Sequence, residues 1–157
     1  MGKTLAMQRG EYEATLDDKG RVSIPARFRD GIPNNLILIK GMFEKCIWAF
    51  TPENMEEFTK DLKNSWSANN NMPMTARQKD LFDHRVNFSA SEVELDKTGR
   101  IMIPLKFRDH AGLVRDCIIT SNGTRIEIWD AHRHAEYLKR AEEDFEPFVD
   151  KLRPLNI

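Results

Sequence analysis

The chain is poor in cysteine, in long apolar runs and in net charge, and each shortage excludes a class. Its two cysteines, Cys46 and Cys117, have no metal-type spacing and sit in apolar, strand-like stretches. A disulfide scaffold and a zinc module are therefore excluded, and buried, reduced thiols of a cytoplasmic protein are expected. Apolar runs such as LILI at 36–39 fall far short of the roughly 20 residues a membrane helix needs, so no membrane partner is expected. The first residues, MGKTLAMQRGEYE, hold no apolar stretch of the kind a secretory leader carries. With 24 Lys and Arg against 25 Asp and Glu, the net charge is −1, and the molecule as a whole has no pull toward polyanions. Any polyanion site must be a local patch. No phosphate-cradling GxxxxGK or GxGxxG occurs. The four histidines are scattered, and His132 and His134, two apart near the start of a helical stretch, do not share a helix face. No catalytic residue, metal site or cofactor is expected. A hydrophobic content of 40% with 31% charged residues still describes a globular chain.

What is present is a repeat. Residues 17–30 read DDKGRVSIPARFRD, and 79 residues later 96–109 read DKTGRIMIPLKFRD, identical at eight of fourteen ungapped positions. The identities are Asp17/Asp96, Gly20/Gly99, Arg21/Arg100, Ile24/Ile103, Pro25/Pro104, Phe28/Phe107, Arg29/Arg108 and Asp30/Asp109, and most mismatches, such as Val22/Ile101 and Arg27/Lys106, are mild. The chain is a tandem duplication of one supersecondary unit.

Read in order, weak alternation over 11–16 leads into Asp17-Asp18-Lys19-Gly20 and a second alternating stretch at 21–24. This pattern predicts a hairpin whose glycine takes the left-handed position. Pro25 starts a helix of one or two turns, closed by Gly31 and Pro33. Strands follow at 36–39 and 46–50, joined by a turn at Gly41. Thr51-Pro52-Glu53 opens a helix with Met55, Phe58, Leu62 and Trp66 on one face. The stretch 65–75, with Asn69-Asn70-Asn71 and Pro73, reads as the linker between halves. A helix from Thr75 to about Val86 is expected to turn Leu81, Phe82 and Val86 to one side. The second unit then repeats the first: strand 91–95, turn 96–99, strand 100–103, a helix from Pro104 to near Gly112, and a hairpin of 117–120 with 125–129 around Asn122-Gly123. Trp129 falls where Trp48 fell, after a two-residue insertion. Asp130 caps a last long helix with Ala131, Leu138, Ala141 and Phe145 expected inward and an interruption at Pro147. The segments divide as 11–57 (first repeat with the start of its helix), 58–89 (helix and linker), 90–133 (second repeat) and 134–157 (last helix and tail).

Asp17, Gly20, Asp96 and Gly99 suit the turns, while Ile24 and Phe28 suit a core. The arginines have two readings that stand side by side. Arg21 and Arg100, each four residues after an acid, suit an ion pair with Asp17 or Asp96 across the turn. They equally suit a planar, multi-donor head turned to phosphate or guanine edges. Lys19 and Lys97 lie in the same turns. Residues 17–30 hold four cations against three anions and residues 96–109 four against two, which makes a local patch. The acids of Glu142–Glu146 read as a solvated helix face.

The paired DxxxR motifs, Asp17–Arg21 and Asp96–Arg100, each followed by Ile-Pro and Phe-Arg-Asp, resemble the MraZ family, bacterial proteins built from two SpoVT-AbrB-type repeats. The likeness extends through the Trp48 and Trp129 hairpins and the helix after each. It implies an α+β, mainly β fold of two pseudo-symmetric swapped-hairpin units, each followed by a long helix. It also implies a sequence-specific DNA-binding transcriptional regulator, a repressor of the division and cell-wall gene cluster that includes its own promoter. Its partners would be double-stranded DNA with repeated promoter boxes and further copies of itself, in a ring of eight or twelve subunits. Its place would be the cytoplasm, associated with the nucleoid. Arg21 and Arg100 would contact DNA, with Lys19 and Lys97 beside them. The second turn departs from the first, with Lys97-Thr98 where the first has Asp18-Lys19. An AbrB-like antitoxin and an oligomeric scaffold that binds no DNA are the alternatives.

Overall fold

The computed structural model describes residues 7–66 and 73–157. The first repeat comprises β1 (Gly10–Thr15), β2 (Arg21–Ser23), α1 (Ala26–Arg29), β3 (Asn35–Lys40), β4 (Ile47–Phe50) and α2 (Pro52–Ser65). After α3 (Ala76–Phe82) and a π-helical turn (Asp83–Phe88), the second supplies β5 (Ser91–Glu94), β6 (Arg100–Met102), α4 (Leu105–Ala111), β7 (Asp116–Ser121), β8 (Ile126–Asp130) and α5 (Ala131–Leu152). The fold is α+β, as the repeat pattern and the family resemblance imply.

The strands are shared between the repeats. Six of them form one antiparallel sheet in the order β1-β7-β8-β4-β3-β5, and β2 pairs with β6 in a separate two-stranded ribbon. Exchanging the repeats reverses the six-strand order onto itself, so one pseudo-dyad passes between β4 and β8 and through the centre of the ribbon, at Val22 and Ile101. The expected hairpin of 11–16 with 21–24 is corrected here. Its turn forms, with the Asp17 amide donating to the Arg21 carbonyl at 2.9 Å, but the strands then part, β1 to β7 and β2 to β6. Because the two copies carry the same alternation, pairing within a copy and pairing between copies bury the same side chains. The sequence pattern does not separate them.

Period-two alternation explains the wholly apolar strands. Leu36 and Leu38 of β3, Ile47 and Ala49 of β4, and Ile126 and Ile128 of β8 point to one core, shared with Val22, Ile24, Phe28, Ile101, Ile103 and Phe107 from the ribbon and short helices. Their neighbours Ile39, Trp48, Phe50 and Trp129 point the other way, against Met55, Phe58, Val86 and Tyr137 of the long helices and the π turn. The sheet is thus the middle of three layers, and the ribbon lies on the side away from α2 and α5. Cys46 and Cys117 are free and buried, and burial pushes their thiols up to about 12 and about 11 respectively.

Caps are where the sequence places them: Thr51 Oγ1 accepts from the Asn54 amide at 3.1 Å and Asp130 Oδ2 from the Arg133 amide at 3.1 Å. Three helical expectations are corrected. The helix beginning at Thr75 shifts to π geometry at Asp83, which keeps Phe82 against the core and buries Val86 but turns Leu81 outward, 50% exposed. Pro147 does not break α5, which runs on to Leu152. Its ring fits helical φ, and the carbonyl it leaves unbonded, that of Glu143, belongs to an exposed residue and is free to meet water. Leu138 and Phe145 are 45% and 53% exposed rather than inward, because only the first turns of α5 rest on the sheet, through His134 and Tyr137 against Trp129. Asn69-Asn70-Asn71 of the expected linker lie outside the described residues. No helix among the described residues is long and apolar enough to cross a membrane.

Candidate nucleic-acid interface

The ribbon positions the motif. Arg21 pairs with Met102, Val22 with Ile101 and Ser23 with Arg100. Val22 and Ile101 are 1% and 0% exposed, so alternation turns Arg21, Ser23, Arg100 and Met102 together onto the opposite, solvent face. With strands ~4.8 Å apart and ~3.3 Å per residue, the two arginines stand on a diagonal about 8 Å apart at Cα. The turns holding Lys19 and Lys97 lie at opposite ends of the ribbon.

Each turn is built on one carboxylate. Asp17 Oδ1 accepts the amides of Lys19 at 2.9 Å and Arg21 at 2.8 Å, and its Oδ2 accepts Arg21 Nε at 2.8 Å. In the second copy Asp96 Oδ1 accepts the amides of Thr98 and Arg100, each at 2.9 Å, and Oδ2 accepts Arg100 Nε at 2.9 Å. The Thr98 hydroxyl adds a bond to Asp96 Oδ1 at 2.8 Å. The arginine amide is the main reason each carboxyl is held below its ordinary range, with the arginine side chain helping; at Asp96 the Thr98 hydroxyl and amide add to the effect. Gly20 and Gly99 both sit at φ 82°, the left-handed conformation that lets the chain return to the aspartate within four residues.

The ion pair with the aspartate forms in both copies and leaves room for the second reading of the arginines. Nε is committed to the aspartate in both copies, while the terminal guanidinium nitrogens donate no hydrogen bond among the described residues. An aspartate fixes the plane and leaves the outer edge of the fork for a ligand. The exposed Lys19 and Lys97 flank the arginines from non-equivalent places: Thr98 occupies the position of Lys19, and Lys97 that of Asp18. The local excess of cations is thus distributed differently at the two ends.

Sequence reasoning assigned no role to Arg29 and Arg108. Arg29 Nε donates to the Ile24 carbonyl at 2.8 Å and Arg108 Nε to the Ile103 carbonyl at 2.9 Å. Each guanidinium then lies on the turn glycine of the other repeat: a Cβ on Gly99 would overlap the guanidinium carbon of Arg29, and one on Gly20 would come within 3.0 Å of that of Arg108. Their identity in both copies was the available signal. His132 and His134 do not converge: His134 is buried against Trp129, with Nε2 3.8 Å from Glu11, while His132 faces Glu136 at 3.3 Å. Among the described residues no cluster of His, Cys, Asp and Glu could hold a metal ion. The acids of Glu142–Glu146 are exposed.

Comparison with known proteins agrees with this frame. A family model described as "MraZ protein, putative antitoxin-like" matches residues 7–78 and 88–151, one region for each repeat. A protein of Treponema denticola named "Transcriptional regulator MraZ" is 38% identical over 144 residues, covering 91% of this chain and 95% of its own length. One of Frankia alni with the same name is 42% identical over 147 residues, covering 92% and 96%. One of Syntrophomonas wolfei, also so named, is 34% identical over 148 residues, covering 94% and 98%. These relatives are named as regulators and not as enzymes.

Proposed function

The chain belongs to the MraZ family, and from that premise we propose that it is a sequence-specific DNA-binding transcriptional regulator that reads DNA with the outer face of its ribbon. The observation that carries this reading is the paired, aspartate-held arginines, whose free nitrogens project from one face of a two-stranded antiparallel ribbon. A ribbon of that kind fits the major groove, where an arginine fork pairs with guanine O6 and N7 for about 1–3 kcal/mol of discrimination. Lys19 and Lys97 supply phosphate contacts that position the ribbon without reading sequence.

A chain of net charge −1 with few cations on one such ribbon binds weakly and with a shallow salt slope, about −0.9 for each phosphate neutralised. A ring of eight or twelve copies meeting repeated promoter boxes makes each later contact intramolecular, and avidity then adds about 10²–10⁴ in apparent affinity. In this reading the ring covers the promoter of the cluster holding its own gene, excludes polymerase, and resides in the cytoplasm at the nucleoid.

The test is binding of a labelled duplex from upstream of this protein's own gene against a scrambled duplex, at two salt concentrations, for the wild type and Arg21→Ala at equal oligomer size. A preference for the native duplex that the variant loses while its oligomer persists supports the regulator. Equal, weak binding to both duplexes overturns it in favour of a protein-binding scaffold, and dissociation of the Arg21→Ala oligomer would make that arginine subunit glue.

A further inference from the structure

We infer that Arg29 and Arg108 are crossed positioning residues: Arg29 of the first repeat sets the direction of Arg100, and Arg108 of the second sets that of Arg21. The inference rests on the DNA-reading role proposed above and names which residues give that face its geometry.

The geometry is reciprocal. The Ile24 amide donates to the Gly99 carbonyl at 2.9 Å, and the Ile103 amide to the Gly20 carbonyl at 2.8 Å. Arg29 is tied through Nε to the carbonyl of that same Ile24 and lies flat on Gly99; Arg108 is tied to Ile103 and lies on Gly20. Each turn glycine is thus held by one backbone bond and one guanidinium face, both from the other repeat. The residue after each glycine is the outward arginine, whose amide is one of the aspartate's partners. A displaced glycine must rotate that amide, loosen the aspartate and release the Nε it holds. The chain of contacts runs from guanidinium to glycine to amide to carboxylate to the opposite arginine.

Simple packing explains a half-buried guanidinium but not its direction of influence. If Arg29 and Arg108 only stabilise the fold, their loss should affect both turns alike. Crossed positioning makes a narrower demand: Arg29 should act with Arg100 and not with Arg21, although Arg21 is nearer in sequence.

Two measurements decide it, both with Arg29→Lys and Arg108→Lys, which keep a cation and remove the planar face. In the free protein, hydrogen exchange at the Thr98 and Arg100 amides should quicken in Arg29→Lys while Lys19 and Arg21 stay at wild-type rates, and Arg108→Lys should give the converse. In operator binding, Arg29→Lys with Arg100→Ala should fall short of the product of the single effects by about fivefold or more, whereas Arg29→Lys with Arg21→Ala should multiply within about twofold. Equal acceleration at both turns, or coupling within one repeat, overturns the inference. Wild-type protein that shows no operator preference sinks the DNA reading alone, since the exchange pattern in free protein still decides the crossed brace.

Discussion

The two turns share one hydrogen-bond frame and differ in nearly everything attached to it. Asp, Gly and Arg recur with donor–acceptor distances of 2.8 or 2.9 Å around both carboxylates. The residues between them do not recur: Asp18-Lys19 faces Lys97-Thr98, and on the ribbon Ser23 takes the place that Met102 holds in the second copy. Within the turns, the identical positions are those whose side chain or φ builds the frame, and the positions that differ are exposed. Arg27 and Lys106 show the intermediate case, since Arg27 reaches Tyr12 Oη at 3.0 Å and the Arg9 carbonyl at 3.1 Å, and Lys106 reaches the Ser89 carbonyl at 2.7 Å. A cation tying the short helix to the segment entering its repeat is kept while its chemistry drifts. The lesson is that symmetry here belongs to the scaffold, and the surface it presents is asymmetric.

The largest test of that symmetry lies in the core. Phe28 and Phe107 are both 0% exposed and occupy matching places in one hydrophobic cluster. Phe28→Ala and Phe107→Ala should each lower stability by about 3–5 kcal/mol in chemical denaturation. A cost near zero for one of them would break the equivalence of the halves.

Next come the arginines. Arg21→Ala and Arg100→Ala should each weaken operator binding by about 1–3 kcal/mol per engaged site, with only a small loss of thermal stability from the broken pair to Asp17 or Asp96, because both side chains point out of the core. Similar losses for the two variants would show that the scaffold's symmetry extends to function. A large loss for one and none for the other would assign the reading to a single repeat, and footprinting on the same duplex would locate it.

How far this was legible depends on range. The turns, the caps and the spacing of the motif aspartates and arginines follow from residues within a few positions of one another, the duplication from matching two such stretches, and the structure keeps them. What short-range patterns do not contain is partner choice. With β2 and β6 alike in pattern, nothing local says that Arg21 should stand opposite Met102, or that Arg29 should reach across to Gly99. The misplacement of Leu138 and Phe145 has the same origin: helical periodicity shows a face, but the width of the sheet decides where support for that face ends.

A smaller effect should separate the halves on the ribbon itself. Met102 is 48% exposed on the outer face of the ribbon, opposite Arg21, and in the proposed reading a thioether there suits contact with a thymine methyl group, for which Ser23 has no counterpart. Replacing operator thymines by deoxyuridine, one at a time, should cost about 0.8 kcal/mol, the worth of one buried methyl(ene) group, at a position next to the Arg21 contact. Met102→Ser should abolish that sensitivity. Indifference of the wild type to every substitution would remove Met102 from the interface.

The smallest difference is a titration. Both aspartates are depressed below the usual carboxylate value of about 3.9, each chiefly by the arginine amide four residues on, and Asp96 alone receives a side-chain hydroxyl, from Thr98. A depressed native value means that the unfolded chain binds the proton first on acidification. The contribution of each turn is therefore complete above the ordinary carboxylate range and is lost as pH falls through the native value. Asp96 should keep its charge to lower pH than Asp17 when the two carboxyl carbons are followed by NMR, and Thr98→Ala should draw its midpoint up toward that of Asp17 while leaving Asp17 in place. A Thr98→Ala protein whose Asp96 titrates as in the wild type would show that the amides alone hold the charge. The hydroxyl would then be a passenger in the frame, and the difference between the turns would lie only in what they present to solvent.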